Sequence, residues 1–216
     1  MKFYVLTNKS ESLRPLSPND QYIGKWCDAI EVDRKYGPAE VCPLCGSYIS
    51  MLSWEEPRKM RLTNTRYPDR IIYELLRPVF SERFMNAYLE AGLRGIKSFS
   101  KIEVVKVSHM SKKSLPPPNY YLADVGFSQT VTIDMKNTII KGSKHGQPCP
   151  LCNPFGLSFD SIERLAYNTE QWDGTDIFRA YPSKMICSQR FYDLVIDNGF
   201  TNFQLVSVDE YNSELE

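Results

Sequence analysis

Four cysteines in two Cys-Pro-Leu-Cys turns are the residues of this chain best suited to chemistry. Cys42-Pro43-Leu44-Cys45 recurs as Cys149-Pro150-Leu151-Cys152. A C-x-x-C turn sets two thiolates close enough to share one tetrahedral ion, and two such turns supply the four sulfurs of a closed structural zinc site. Proline stiffens each turn. Gly46 after the first pair lets backbone N–H groups approach the sulfurs, and Asn153 after the second is the next most tolerant residue of a left-handed backbone.

The spacing restricts how these pairs can meet. From Gly46 to Pro148 there are 103 residues, whereas zinc ribbons separate their knuckles by roughly 15–20. One shared site therefore requires two distant parts of the chain to pack face to face. A shared structural zinc held by Cys42, Cys45, Cys149 and Cys152 is the leading reading. Three others stay open. Each pair can hold its own ion, with His145 as an added ligand. Iron can replace zinc in a four-sulfur site. The pairs can also be redox-active dithiols, although that chemistry wants a helix after the motif, and Tyr48-Ile49-Ser50-Met51-Leu52 looks like a strand.

Little else in the chain suggests catalysis. It has two histidines, and no nucleophile elbow, phosphate loop or metalloprotease helix frames its Ser, His and Asp residues. The chain is not expected to be an enzyme. Cys27 and Cys187 lack cysteine partners, and Cys187 beside Ile186 reads as a buried apolar residue.

Composition narrows the class further. Lys+Arg and Asp+Glu are equal at 26 each in 216 residues, so the formal net charge is zero. No bulk electrostatic case exists for nucleic acid or an anionic membrane as partner. Lys106, Lys112, Lys113, Lys141 and Lys144 read as scattered solvated lysines. No segment has the apolar length of a membrane span, and the run from Phe3 to Leu6 is too short for a secretory signal. The expected compartment is the cytoplasm, where reduced thiols favour metal over disulfides.

The elements that must bring the knuckles together show a hidden repeat. The step along the chain from Cys42 to Cys149 is the same as the step from Ser81 to Ser188, where Ser81-Glu82-Arg83-Phe84 returns as Ser188-Gln189-Arg190-Phe191. Asp69 and Asp176 keep that step too. Each copy predicts a helix entered at a serine N-cap, with Phe84, Ala87 and Tyr88, or Phe191, Leu194 and Val195, on one face. Gly92 and Gly199 sit where such helices end. A strand follows each helix, Ile102 to Val107 in one copy and Phe203 to Val208 in the other, and this pair falls short of the common step. Lys2 to Leu6 predicts an opening strand, Arg70 to Leu76 a helix, and Phe159, Ile162 and Leu165 a short helix. Pro116-Pro117-Pro118 reads as a stiff connector. The expected fold is α+β: one compact domain over 1–216, made of two pseudo-symmetric helix–strand halves joined around the four-cysteine metal site. Residues 1–115 carry knuckle 42–45 and residues 116–216 carry knuckle 149–152.

These residues resemble a known family. The opening KFYVL strand, CPLCG near position 42 and a second CPLC about a hundred residues later look like the Myxococcus-type double-CXXCG-motif proteins, regarded as Sit-type immunity proteins of polymorphic toxin systems. Asp176, Phe178, Arg179, Pro182, Ile186, the Ser188-Gln189-Arg190-Phe191 run, Gly199 and Phe203 resemble the family's closing signature. Asn153 departs from it, standing where the family usually has glycine. The resemblance implies cysteine ligands at Cys42, Cys45, Cys149 and Cys152, and a cytoplasmic binder that neutralises one cognate toxin. Candidate anchors for that toxin are Trp54 with Glu55 and Glu56, and the Tyr167 to Asp173 stretch with Trp172. The runner-up is a zinc-stabilised nucleic-acid-binding or regulatory module.

Overall fold

The computed structural model describes residues 2–7, 26–33, 35–50, 52–71, 78–112, 114–144, 147–182 and 184–213. Helices and strands are mixed, and strands predominate. In the first part of the chain the strands are β1 (Phe3–Thr7), β2 (Ala29–Val32), β3 (Lys59–Leu62), β4 (Arg70–Ile71), β5 (Val79–Ser81), β6 (Ile96–Val107) and β7 (Tyr120–Val125). Short strands β8 (Thr132–Ile133), β9 (Ile139–Lys144), β10 (Leu157–Arg164) and β11 (Tyr167–Asn168) follow. The chain closes with β12 (Ile177–Ala180), β13 (Lys184–Ser188) and β14 (Gln204–Ser207). Helix α1 (Glu82–Glu90) leaves β5, and helix α2 (Gln189–Asp197) leaves β13.

Both helices start as their serines dictate. The Ser81 hydroxyl accepts from Phe84 N–H at 3.2 Å, and Ser188 accepts from Phe191 N–H at 3.3 Å. Removing such a cap costs about 1 kcal/mol. Gly92 and Gly199 stand just past the helix ends at φ +61° and +57°, the region glycine enters without strain. A nine-residue helix is marginal alone, so both depend on the face they bury. Phe84 and Tyr88 of α1, with Phe191 and Val195 of α2, enter one core with Phe80, Ile177 and Cys187. Burying each large side chain contributes roughly 1.5–3 kcal/mol.

Two sheets organise the fold. The larger runs β2-β3-β6-β7-β5-β4, and the smaller runs β12-β13-β1-β14. In the smaller sheet the opening strand β1 is antiparallel to both β13 and β14. In the larger, β7 is antiparallel to both β5 and β6. The runs β4-β5-β7-β6 and β12-β13-β1-β14 therefore share one pattern of pairing. In each, the strand before the helix and the strand after it are bridged by a strand from elsewhere in the chain.

Several expected elements take another form. The segment from Arg70 begins as strand β4 rather than helix, because Arg70 and Ile71 pair with Phe80 and Val79; residues 72–77 lie outside the described residues. The segment holding Ile162 is strand β10, paired with β9 through two register shifts, and not a helix. Ile162 and Leu165 are buried as apolar spacing suggested, but in a second core with Phe3, Val5 and Phe178. Among the described residues of 48–52, Tyr48 forms only an isolated bridge to Val41 and no strand is formed. The strand after α1 starts at Ile96, earlier than expected, and the strand after α2 starts at Gln204, so the two strand starts come within one residue of the common step.

Candidate metal centre

The four knuckle sulfurs converge. Cys42 Sγ lies 3.8 Å from Cys149 Sγ, and Cys45 Sγ lies 3.4 Å from Cys152 Sγ. All four fall within 4.8 Å of one another. Metal–sulfur bonds of about 2.3 Å in a tetrahedron put sulfurs about 3.8 Å apart, so the group has the size and donor set to hold one ion. Cys42 and Cys149 are buried, Cys152 is half-buried and Cys45 is exposed. Four packed sulfurs cannot all ionise unless a cation compensates them.

Local hydrogen bonds shape each knuckle. In the first, Gly46 N–H donates to Cys42 O at 2.9 Å and Cys42 N–H to Ser47 O at 2.7 Å. Gly46 takes φ +73°, as the motif requires. In the second, Cys149 and Asn153 exchange backbone bonds of 2.9 and 3.1 Å. Asn153 is not among the residues with positive φ; that role falls to Gly156 at φ +61°.

The thiols differ in acidity for visible reasons. The Ser47 hydroxyl, its backbone N–H and the Cys152 sulfur pull Cys45 down to about 6. The backbone N–H of Cys152, and then that of Leu151, hold Cys149 below the usual thiol value against the effect of burial. Burial, then the neighbouring sulfurs, pushes Cys152 well above it. A bound cation would draw all four to the thiolate.

Each knuckle is fastened differently. Arg179 of β12 reaches the first with a buried guanidinium. Its Nε donates to Val125 O at 2.7 Å, Nη1 to Ile49 O at 3.0 Å, and Nη2 to the Glu40 carboxylate. Burial raises the Glu40 carboxyl, but the Arg179 charge and the bonds from Arg179 and Lys97 outweigh it and hold the group low. The second knuckle is fastened by stacking: Phe155 lies over Tyr181 with ring centroids 6.2 Å apart. Sequence spacing gave no sign of these supports. A lone arginine inside the apolar strand Ile177–Ala180 was the available signal, since a buried guanidinium must find partners.

Two acidic clamps lie between the helices. Asp69 accepts from Ser81 Oγ at 2.8 Å, from Arg83 at 3.0 and 2.6 Å, and from Thr201 N and Oγ1 at 3.0 Å each. Asp176 accepts from Ser188 Oγ at 2.7 Å, Arg190 at 3.2 Å and Arg94 N at 2.9 Å. Arg83 also reaches Asn198 O beyond α2, and Arg190 reaches Ala91 O beyond α1.

The remaining candidates separate clearly. His145 lies outside the described residues, as does Lys113. Lys141 pairs with Glu163. Trp54 is buried. Trp172 packs edge-on against Phe3 at 5.5 Å and donates to Thr175 O. Tyr167 donates to Tyr181 O at 2.9 Å. These aromatic candidates are packed into the protein, so they do not stand out as free anchors. Tyr48 on the first knuckle, 77% exposed, does. Cys27 is buried too, and burial followed by Asp28 pushes its thiol up to about 12. Among the described residues no helix is long and apolar enough to cross a membrane. Comparison with protein-family models and with curated proteins finds no match.

Proposed function

We propose that this chain is an immunity protein: a non-enzymatic cytoplasmic binder that neutralises one cognate bacterial toxin, with two duplicated halves clamped by a structural zinc ion. The convergence of Cys42, Cys45, Cys149 and Cys152 within 4.8 Å carries the clamp. Four protein sulfurs leave no open coordination position, and that suits a structural ion rather than a catalytic one. Zinc is preferred over iron because a closed four-thiolate site needs no redox change to serve as a clamp.

The two-half architecture draws on matched contacts at one spacing. Cys42 meets Cys149 and Cys45 meets Cys152, each pair 107 residues apart. Phe84 meets Phe191 at the same step. The Asp69 clamp uses Thr201 and the Asp176 clamp uses Arg94, two residues again related by that step. In this architecture a pseudo-twofold axis runs through the ion and between the two phenylalanines. The halves exchange strands: β1 completes the sheet of the second half, and β7 completes that of the first. The whole chain then acts as one domain.

Immunity itself rests on the resemblance of the double Cys-Pro-Leu-Cys motif and the Asp176 to Phe203 signature to the double-CXXCG family. Neutralising a toxin by covering it requires exposed anchors and no catalytic residues. Leu44 and Tyr48, 64% and 77% exposed, offer such anchors on the first knuckle. Co-expression of this chain with the toxin gene beside its own, in a sensitive cell, tests the proposal. Growth is rescued if it holds. Failure to rescue against any neighbouring gene product rejects it.

A further inference from the structure

Arg179, near the end of β12, and Tyr181, just beyond it, are the two side chains that hold the two knuckles. Arg179 has a side chain only 5% exposed and grips both ends of the first knuckle loop, at Glu40 and at Ile49 O. Those ends are also tied to each other: Ile49 N–H donates to Glu40 O at 3.0 Å, and Glu40 N–H to Ser50 Oγ at 2.8 Å. Cys42 and Cys45 lie inside the loop so closed. Two residues on, Tyr181 is buried in an apolar core and receives from the second knuckle Phe155, which is half-buried and packs against that core. The first knuckle does not repeat this arrangement. Tyr48 stands to Phe155 as Cys42 stands to Cys149, yet its ring lies in solvent.

We infer that Arg179 is a positioning residue that presets the first knuckle for metal, and that this knuckle is the half of the site that opens to admit and release the ion. The inference rests on the four-cysteine group being a metal site. Its physical basis is a difference in attachment. Ring stacking against a core has no competitor in water, so the second knuckle stays with the fold. The first knuckle hangs on a polar fork whose Glu40 carboxylate is 40% exposed and also bonded to the exposed Lys97. Water can take over the bonds of the Glu40 carboxylate, so local opening begins at that end of the fork. Exposure agrees with this direction of approach: Cys45 of the first knuckle is the exposed ligand, while Cys42 and Cys149 are covered.

The fork geometry also explains why arginine stands here. Its planar head serves Val125 O, Ile49 O and Glu40 at once, and a lysine ammonium on a flexible stem cannot span the three. Supports just outside a metal's ligands typically change affinity by roughly 10–100-fold when removed.

The test uses the full chain loaded with cobalt(II), whose thiolate charge-transfer band reports four-sulfur binding. Release into excess chelator is timed for the wild type and for Glu40→Gln and Arg179→Met. Both variants should bind one cobalt with an unaltered band and release it roughly ten times faster or more. In the metal-free wild type, amide hydrogens of residues 41–49 should exchange before those of 149–156. Release within twofold of wild type in both variants, or earlier exchange of 149–156, overturns the inference. Should Arg179→Met fail to fold, Glu40→Gln alone decides, because it changes an accessible carboxylate. If the wild type binds no cobalt, the metal-site premise fails, and the exchange order still decides whether the first knuckle is the loosely held one.

Discussion

Phe84 and Phe191 pack with ring centroids 5.8 Å apart, and they are separated in sequence by the same 107 residues that separate Cys42 from Cys149. Two contacts at that one sequence separation, one apolar and one of sulfurs, lie in one molecule. The Asp69 and Asp176 clamps each join the entry of one helix to the chain just beyond the other. The sulfur group, the core and the clamps therefore join the same two parts of the chain.

The ion should be a large part of what keeps the protein folded. Elemental analysis of purified protein is expected to give one zinc per chain. Cys149→Ser should strip the metal or unfold the chain, since structural zinc is worth about 10–16 kcal/mol in finger peptides and a domain's net stability is roughly 5–15. Two zincs per chain, or a folded metal-free preparation of unchanged melting temperature, would contradict a shared structural ion.

Metal affinity should fall in acid. The ligands must be thiolates, and protons compete for the same sulfurs, so each thiol protonated in the free site weakens binding about tenfold per pH unit. With Cys45 at about 6 and Cys152 raised, at least one thiol is protonated at neutral pH in the free site. Chelator competition between about pH 8 and 5 should show affinity declining throughout. A flat profile would mean the cysteines are not the ligands.

Asp69 should contribute to acid unfolding. Burial raises its carboxyl, but the bonds from Arg83, Thr201 N–H and Ser81 outweigh burial and lower it from 3.8. A carboxyl lower in the folded chain stabilises the fold above its unfolded value, and that contribution disappears as the pH falls through the folded one. Asp69→Asn should cost about 1.5–3 kcal/mol near neutral pH, the range for hydrogen bonds to charged groups. It should also flatten the stability curve below about pH 4. Urea unfolding at several pH values measures both effects, and equal losses at pH 7 and pH 2 would exclude this role for the carboxylate.

Strand exchange makes the β6–β7 connector dispensable for cohesion. Met110, Ser111 and Lys112 are exposed there. A protease site placed at 110–112 should cut cleanly, and the two fragments should still elute together under native conditions. Each fragment keeps a strand inside the other's sheet. Separation of the fragments with metal still bound would contradict the exchange.

Tyr48 and Trp54 should behave oppositely. Trp54 is 3% exposed, so Trp54→Ala should destabilise the fold by about 3–5 kcal/mol. Tyr48→Ala should change stability by no more than about 0.5 kcal/mol. On the immunity proposal it should instead weaken toxin binding by about 1 kcal/mol or more. Thermal unfolding and titration calorimetry with the co-purified toxin separate the two. Unchanged toxin affinity in Tyr48→Ala would remove the first knuckle from the interface.

What the chain carried in its sequence was local or repeated. Ser81 and Ser188 announce helices because a hydroxyl can satisfy the first-turn N–H groups, and Gly92 and Gly199 end them because only a residue without Cβ turns there freely. The two Cys-Pro-Leu-Cys turns named the four sulfurs that converge, and their shared spacing with the Ser-x-Arg-Phe runs pointed to distant parts meeting. Tertiary structure decided the rest. Arg70 and Ile71 form a strand because β5 offers a ladder, and Ile162 does so because β9 lies alongside; an apolar run of a few residues fits either state until a neighbour pairs with it. No local pattern could say that β1 crosses into the sheet of β13 and β14, or that Arg179 reaches Glu40 across 139 positions. Those contacts exist only once the backbone has closed around them, because hydrogen bonds over such separations have no trace in the residues between.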